Sequence, residues 1–240
     1  MTDSTARNLA DIRRRIDAAT ERSGRLPSSV RLIAVSKTFS ADHVRTAMAA
    51  GQIDFGENKV QEGLSKADEI GAGPRWHLIG HLQSNKAKKA AAAFAAIHSI
   101  DGVDLVRRID AAAAEAGTAP ELLIQADLAG ETTKFGASLS EIPAIIESAL
   151  ACRAAQLRGL MVVPPWSENP EDVRPWFRQL RELRDRLVQA GAPASSLAEL
   201  SMGMSHDFEA AIEEGSTMVR VGTAIFGKRP KPPAGPLGID

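Results

Sequence analysis

Leu32-Ile33-Ala34-Val35-Ser36-Lys37 is a short apolar run, rich in branched residues, that ends on an amine. A run of this length and type reads as a buried strand. Thr38 and a helix start at Ser40 follow, so Lys37 stands at the strand's C-terminal end. In α/β folds ligands collect there. A lysine partly desolvated at such a mouth is a candidate for Schiff-base chemistry, against the plain alternative of a side chain that reaches solvent.

Outward from this run the same strand–helix alternation repeats. Strands are expected near residues 53–56, 76–80, 96–100, 122–127, 157–163, 199–202 and 218–221, after the first at 31–36. Helical spacing fills residues 42–50, 58–70, 103–116, 142–155, 170–190 and 207–214. Ahead of them, Leu9, Ile12, Ile16 and Ala19 predict an extra N-terminal helix over residues 8–23. Gly51, Gly71, Gly117, Gly191 and Gly215 each follow a helix and suit its C-terminal cap. Eight such units predict a single (β/α)8 barrel, with an open doubly wound sheet as the competing arrangement. Residues 1–228 are expected to form this one domain, and residues 229–240, with Pro230, Pro232, Pro233 and Pro236, an irregular C-terminal tail.

Composition narrows the function. The 240 residues are 44% hydrophobic and 25% charged with a formal net charge of −1, so no global field attracts nucleic acid. The single cysteine, Cys152, rules out an internal disulfide and a cysteine-based zinc site, and falls in the expected helix 142–155. The longest apolar stretch, residues 90–97, is too short to cross a bilayer, and the charged N-terminus lacks a secretory apolar core. A cytoplasmic, monomeric protein is the expectation.

A barrel gathers its functional groups after the C-terminal ends of its strands. Strand seven leads into Ser201-Met202-Gly203-Met204-Ser205 and strand eight into Arg220-Val221-Gly222-Thr223. The loops after these two strands often form a phosphate cup. Gly203 and Gly222 allow close approach of backbone, while Ser205 and Thr223 supply hydroxyl donors. Ser205 also suits an N-cap for a helix beginning near Asp207. An amine and a phosphate cup at one mouth describe a site for a phosphorylated carbonyl compound, either pyridoxal phosphate or a phosphorylated sugar.

Further stretches carry a resemblance: residues 34–37, Phe55-Gly56-Glu57-Asn58, the run from Trp76 to Lys86, Gly159-Leu160-Met161, residues 200–205 and residues 219–227. Over residues 8–228 the chain resembles the pyridoxal phosphate homeostasis protein family, related in fold to the barrel domain of alanine racemase. The resemblance implies a one-domain barrel that binds pyridoxal 5'-phosphate as an internal aldimine, without established turnover. It implies Lys37 as the Schiff-base lysine, Arg220 facing the pyridine nitrogen, and Ser205, Gly222 and Thr223 on the phosphate. Asn58, His81, Ser201 and Met202 would line the pocket. Apo-forms of pyridoxal phosphate-dependent enzymes are the implied partners, with neither nucleic acid nor membrane.

The residue types also bear on turnover. An arginine beside the pyridine nitrogen disfavours a second positive charge there and weakens the electron sink that amino-acid chemistry needs. The racemases add a tyrosine base, and this chain has no tyrosine. His81 or His206 remains as a stand-in base for a weak racemase-like activity, whereas His77 reads as a structural strand residue. A reversible carrier of the cofactor is the expected function, with Lys134 as a candidate second amine and Lys86, Lys88 and Lys89 as a charged helix face.

Overall fold

Odd and even residues of a strand face opposite sides, and this alternation sorts the chain into two apolar layers. In the computed structural model, which describes residues 2–130 and 135–228, the strands close into one parallel barrel in sequence order. They are β1 (Arg31–Val35), β2 (Asp54–Glu57), β3 (Arg75–Leu78), β4 (Ala96–Ile100), β5 (Glu121–Gln125), β6 (Gln156–Met161), β7 (Glu199–Met204) and β8 (Met218–Val221). Closure is made by β1 against β8, with Ile33 opposite Arg220 and Ala34 opposite Val221. The barrel is a (β/α)8 fold, and the open-sheet alternative is set aside.

The helices are α1 (Thr2–Arg22), α2 (Ala41–Ala49), α3 (Val60–Ile70), α4 (Ala87–Ala93), α5 (Val103–Ala116), α6 (Ile142–Leu150), α7 (Arg174–Gln189), α8 (Phe208–Glu213) and α9 (Thr223–Phe226). Leu32, Ala34, Phe55, Leu78, Leu122 and Leu200 belong to the large core between barrel and helices. Ile33, Leu123, Met161 and Met218 form a separate, smaller cluster in the barrel interior. Below it, at the N-terminal ends of the strands, Arg31 and Arg75 lie near Glu121, at 3.5 and 3.8 Å, and form a charged floor.

The extra N-terminal helix buries Leu9, Ile12, Ile16 and Ala19, the spacing that predicted it. Each of the larger side chains contributes about 1.5–3 kcal/mol by leaving water. This face packs on α8 and α9, and Asn8 Nδ2 donates to the Ile225 carbonyl at 2.9 Å. The helix therefore braces the end of the chain that carries β8. Gly51, Gly71, Gly117, Gly191 and Gly215 all take positive φ beyond their helices.

The structure moves several expected boundaries. Helix α6 stops at Leu150, so Cys152 lies past its end, half-buried, with Sγ 3.6 Å from the Ser148 carbonyl. Burial pushes its thiol up to about 11. The 170–190 segment begins as a 3-10 turn (Pro170–Val173) before α7. Strand β7 runs on to Met204 and the N-cap of α8 is Asp207, so Ser205 is not the cap. Its hydroxyl has a different partner. The expected tail, residues 229–240, and Lys134 lie outside the described residues.

Candidate functional site at the barrel mouth

Lys37 is bracketed by an ionic network, buried at Ser36, Glu57 and Lys66 and reaching the surface at Thr38 and Glu62. On its N-terminal side the Ser36 carbonyl accepts from Lys66 Nζ at 2.7 Å, and Ser36 Oγ donates to Glu57 Oε1 at 2.6 Å. On its C-terminal side the Thr38 amide donates to Glu62 Oε1 at 2.6 Å. Lys66 ties these together, donating also to Glu57 at 2.7 Å and Glu62 at 2.9 Å. Glu57 is fully buried, and burial raises its pKa against the pull of Lys66 and Ser36. Thr38 sits at φ 70°, a strained setting for a β-branched residue, and the network holds it there. The backbone that presents the Lys37 amine is thus fixed on both sides.

On the opposite wall the chain uses small residues instead. Gly203 has φ 93°, and a Cβ there would meet Ala211 Cβ at 2.6 Å and Phe208 Cα at 2.9 Å. Only glycine lets the β7 turn close onto α8. At Gly222 a Cβ would press on the Val35 carbonyl at 3.1 Å, so the turn after β8 lies directly against β1. Ser205 Oγ accepts the Gly222 amide at 3.1 Å and joins the two turns. Asp207 takes the Met204 amide at 2.6 Å and fixes the first of them.

Arg220 rises between these walls from β8. It is nearly buried, donating through Nη1 to Ser201 Oγ at 2.7 Å and through Nη2 to the Val162 carbonyl at 2.9 Å. Burial pushes its guanidinium down to about 10, against Asp207, which leaves it charged at neutral pH.

Lys37, Ser205, Arg220, Gly222 and Thr223 line one cavity of about 290 Å³, together with Val35, Ile79, Trp166, Met204, His206 and Asp207. The other sequence-derived candidates fall elsewhere. His81 lines a neighbouring cavity of about 240 Å³ that shares Ile79; its ring stacks on Phe135 with centroids 3.7 Å apart, and Nδ1 lies 3.3 Å from Asp101. Asn58 packs under Gly80, where an added Cβ would sit 2.3 Å from the Asn58 carbonyl. Ser201 lies inside the barrel and reaches the cavity only through Arg220. Met202 corrects an expectation: its side chain is fully buried in the layer between barrel and helices. The reason is strand alternation: Ser201 and Met202 are neighbours in β7, so when Ser201 turns inward Met202 turns outward beside Leu200.

The Glu57, Glu62 and Lys66 bracket was missed from sequence. One signal was present, the Glu62 and Lys66 pair at i,i+4 on α3. Trp166, after β6, carried no signal beyond its place in a loop.

A model of the alanine racemase N-terminal domain matches residues 7–230 of the chain. The pyridoxal phosphate homeostasis protein of Aquifex aeolicus is 42% identical over 222 residues, which cover 92% of this chain and 96% of that one. The protein of the same name from Escherichia coli K12 is 40% identical, covering 93% and 96%. The chain belongs to the pyridoxal phosphate homeostasis protein family. Among solved structures, PipY of Synechococcus elongatus with the cofactor bound aligns at a TM-score of 0.82 and 41% identity, covering 93% of this chain and all of that one. Alanine racemase of Clostridium difficile aligns at a TM-score of 0.75 with 14% identity and shares the fold; this chain covers 58% of it. The homeostasis-family relatives are named for homeostasis and not for an enzymatic reaction. Among the described residues, no helix is long and apolar enough to cross a membrane.

Proposed function

We propose that this protein binds pyridoxal 5'-phosphate at the barrel mouth, held covalently by Lys37, and stores or delivers it without substantial turnover. One observation carries the reading: an amine and a hydroxyl- and glycine-lined cradle open onto the same cavity. The donor set fits the group. Ser205, the Gly222 turn and Thr223 suit its phosphate, and Gly203 and Gly222 keep that wall free of side chains. Arg220 suits the ring nitrogen. The cofactor-bound PipY relative supports binding of this cofactor by the fold.

Bound here, the cofactor supplies an aldehyde that condenses reversibly with a primary amine and releases water. The protein's residues explain why little follows. Arg220 is a fixed cation that donates and cannot accept, so it disfavours a proton on the ring nitrogen and weakens the electron sink. The chain has no tyrosine to act as the second base of a racemase. His206 lines the cavity but gives its Nε2 to the Glu168 carbonyl at 2.7 Å. Apo-enzymes as recipients, a monomeric state and a cytoplasmic location belong to the same proposal.

The purified protein mixed with the cofactor is expected to show a visible band that moves on borohydride reduction. Lys37→Ala is expected to lose that covalent band while Ser205 and Thr223 retain a loosely held fraction. A Lys37→Ala protein whose band still moves with borohydride overturns the proposal.

A further inference from the structure

Between the charged floor and the mouth, side chains from β8, β7, β4, β3 and β2 form an unbroken chain of hydrogen bonds. Arg220 Nη1 meets Ser201 Oγ at 2.7 Å, and Ser201 Oγ meets His98 Nδ1 at 2.8 Å. His98 Nε2 meets His77 Nδ1 at 3.0 Å, and His77 Nε2 meets Asp54 Oδ1 at 2.8 Å. Ser201, His98 and His77 are fully or almost fully buried. A barrel interior is ordinarily packed with branched aliphatic residues, so a polar chain through it calls for a reason.

Valence sets the direction of each link. A guanidinium only donates and a carboxylate only accepts. Burial drives both imidazoles toward the neutral form, in His77 against the opposing pull of Asp54. Burial disfavours the Asp54 carboxylate, but His77, Arg75 and Arg31 outweigh it and keep it ionised. Ser201 therefore accepts from Arg220 and gives its own hydrogen to His98 Nδ1. His98 then carries its hydrogen on Nε2 and donates to His77 Nδ1, and His77 donates from Nε2 to Asp54. Every link points from the mouth to the floor.

We propose that Asp54, His77 and His98 are positioning residues of the mouth site, which act through Ser201 to lock Arg220 and leave no hydrogen directed up the chain toward it. The inference rests on the proposed function, in which Arg220 faces the ring nitrogen, and deepens it. The guanidinium keeps the electron sink weak, and the chain beneath it holds that guanidinium in place through Ser201. An imidazolium anywhere in the chain would reverse the links above it and present a donor to Ser201.

The direction is read in the apo protein by NMR of isotope-labelled histidine. Both His77 and His98 are expected as neutral Nε2–H tautomers, unchanged from about pH 7 to about pH 9. An Nδ1–H tautomer at either ring, or titration within that range, overturns the one-way chain. The coupling is read in the loaded protein. Asp54→Asn keeps the shape but offers an amide that donates as readily as it accepts. His98→Asn keeps a polar group toward Ser201 and breaks the link to His77. Each is expected to shift the visible band and change cofactor release by about threefold or more, the scale of a perturbed buried hydrogen bond. A wild-type protein that takes up no pyridoxal 5'-phosphate overturns the proposed function. A loaded wild type whose band and release rate are matched by both variants overturns the positioning role. If the variants fail to fold, the tautomers of the wild-type apo protein decide.

Discussion

The two walls of the mouth are built on opposite principles. On the β1–β2 side, buried charge fixes the backbone: Lys66 gives its hydrogens to the Ser36 carbonyl, Glu57 and Glu62. On the β7–β8 side, missing side chains let two turns close against α8 and β1. The contrast extends to the lysines. Lys66 is buried among three acceptors, while Lys37, next to the carbonyl that Lys66 holds, lines the cavity. An amine engaged by three acceptors has its donors used up, and one that faces a cavity is placed to meet a ligand. Residue type alone does not separate the two. Their surroundings do.

The charge-built wall should be the more fragile to substitution. Lys66→Met leaves Glu57 buried without its counter-charge and is expected to lower stability by about 3–5 kcal/mol in urea unfolding. A loss under about 1 kcal/mol would mean that the network is not what holds that wall.

The histidine chain spans both walls, and it makes stability depend on pH. His77 and His98 are held below 6.5 by burial, so below that value the unfolded chain binds protons that the native protein refuses. Stability contributed by their neutral forms is present above about pH 6.5 and is lost as the pH falls below it. Thermal unfolding of His98→Asn should show a shallower fall across this window than the wild type. An equal slope would remove His98 from the account.

The glycine-built wall should show its sensitivity in binding as well as folding. Gly203→Ala places a Cβ 2.6 Å from Ala211 in a backbone with φ 93°. It is expected to cost about 2 kcal/mol of stability and to weaken cofactor retention, read by dialysis of the loaded protein. Ser205→Ala removes the acceptor of the Gly222 amide, an effect of about 1 kcal/mol on stability. Its larger consequence is expected in the affinity for inorganic phosphate, measured by calorimetry.

Much of this was legible in the sequence, for different reasons on the two sides. The barrel followed from short branched runs such as residues 32–35 and from glycines behind five of the helices, because both signals are local. The cradle was legible because Gly203, Ser205, Gly222 and Thr223 lie close to their strand ends. The bracket was not, because Ser36, Glu57 and Lys66 converge only after β1, β2 and α3 pack. Asp54, His77 and His98 stand on separate strands, and no spacing relates them until the barrel closes. Met202 was misplaced because it and Ser201 were both put in the pocket, although adjacent residues of one strand face opposite sides.

Peptide mapping by mass spectrometry after borohydride reduction of the cofactor-loaded protein compares the two amines most directly. The account predicts pyridoxyl label on the peptide carrying Lys37 and none on the peptide carrying Lys66. Label on Lys66, or a Lys37 peptide that stays unmodified while the protein is yellow, would contradict it.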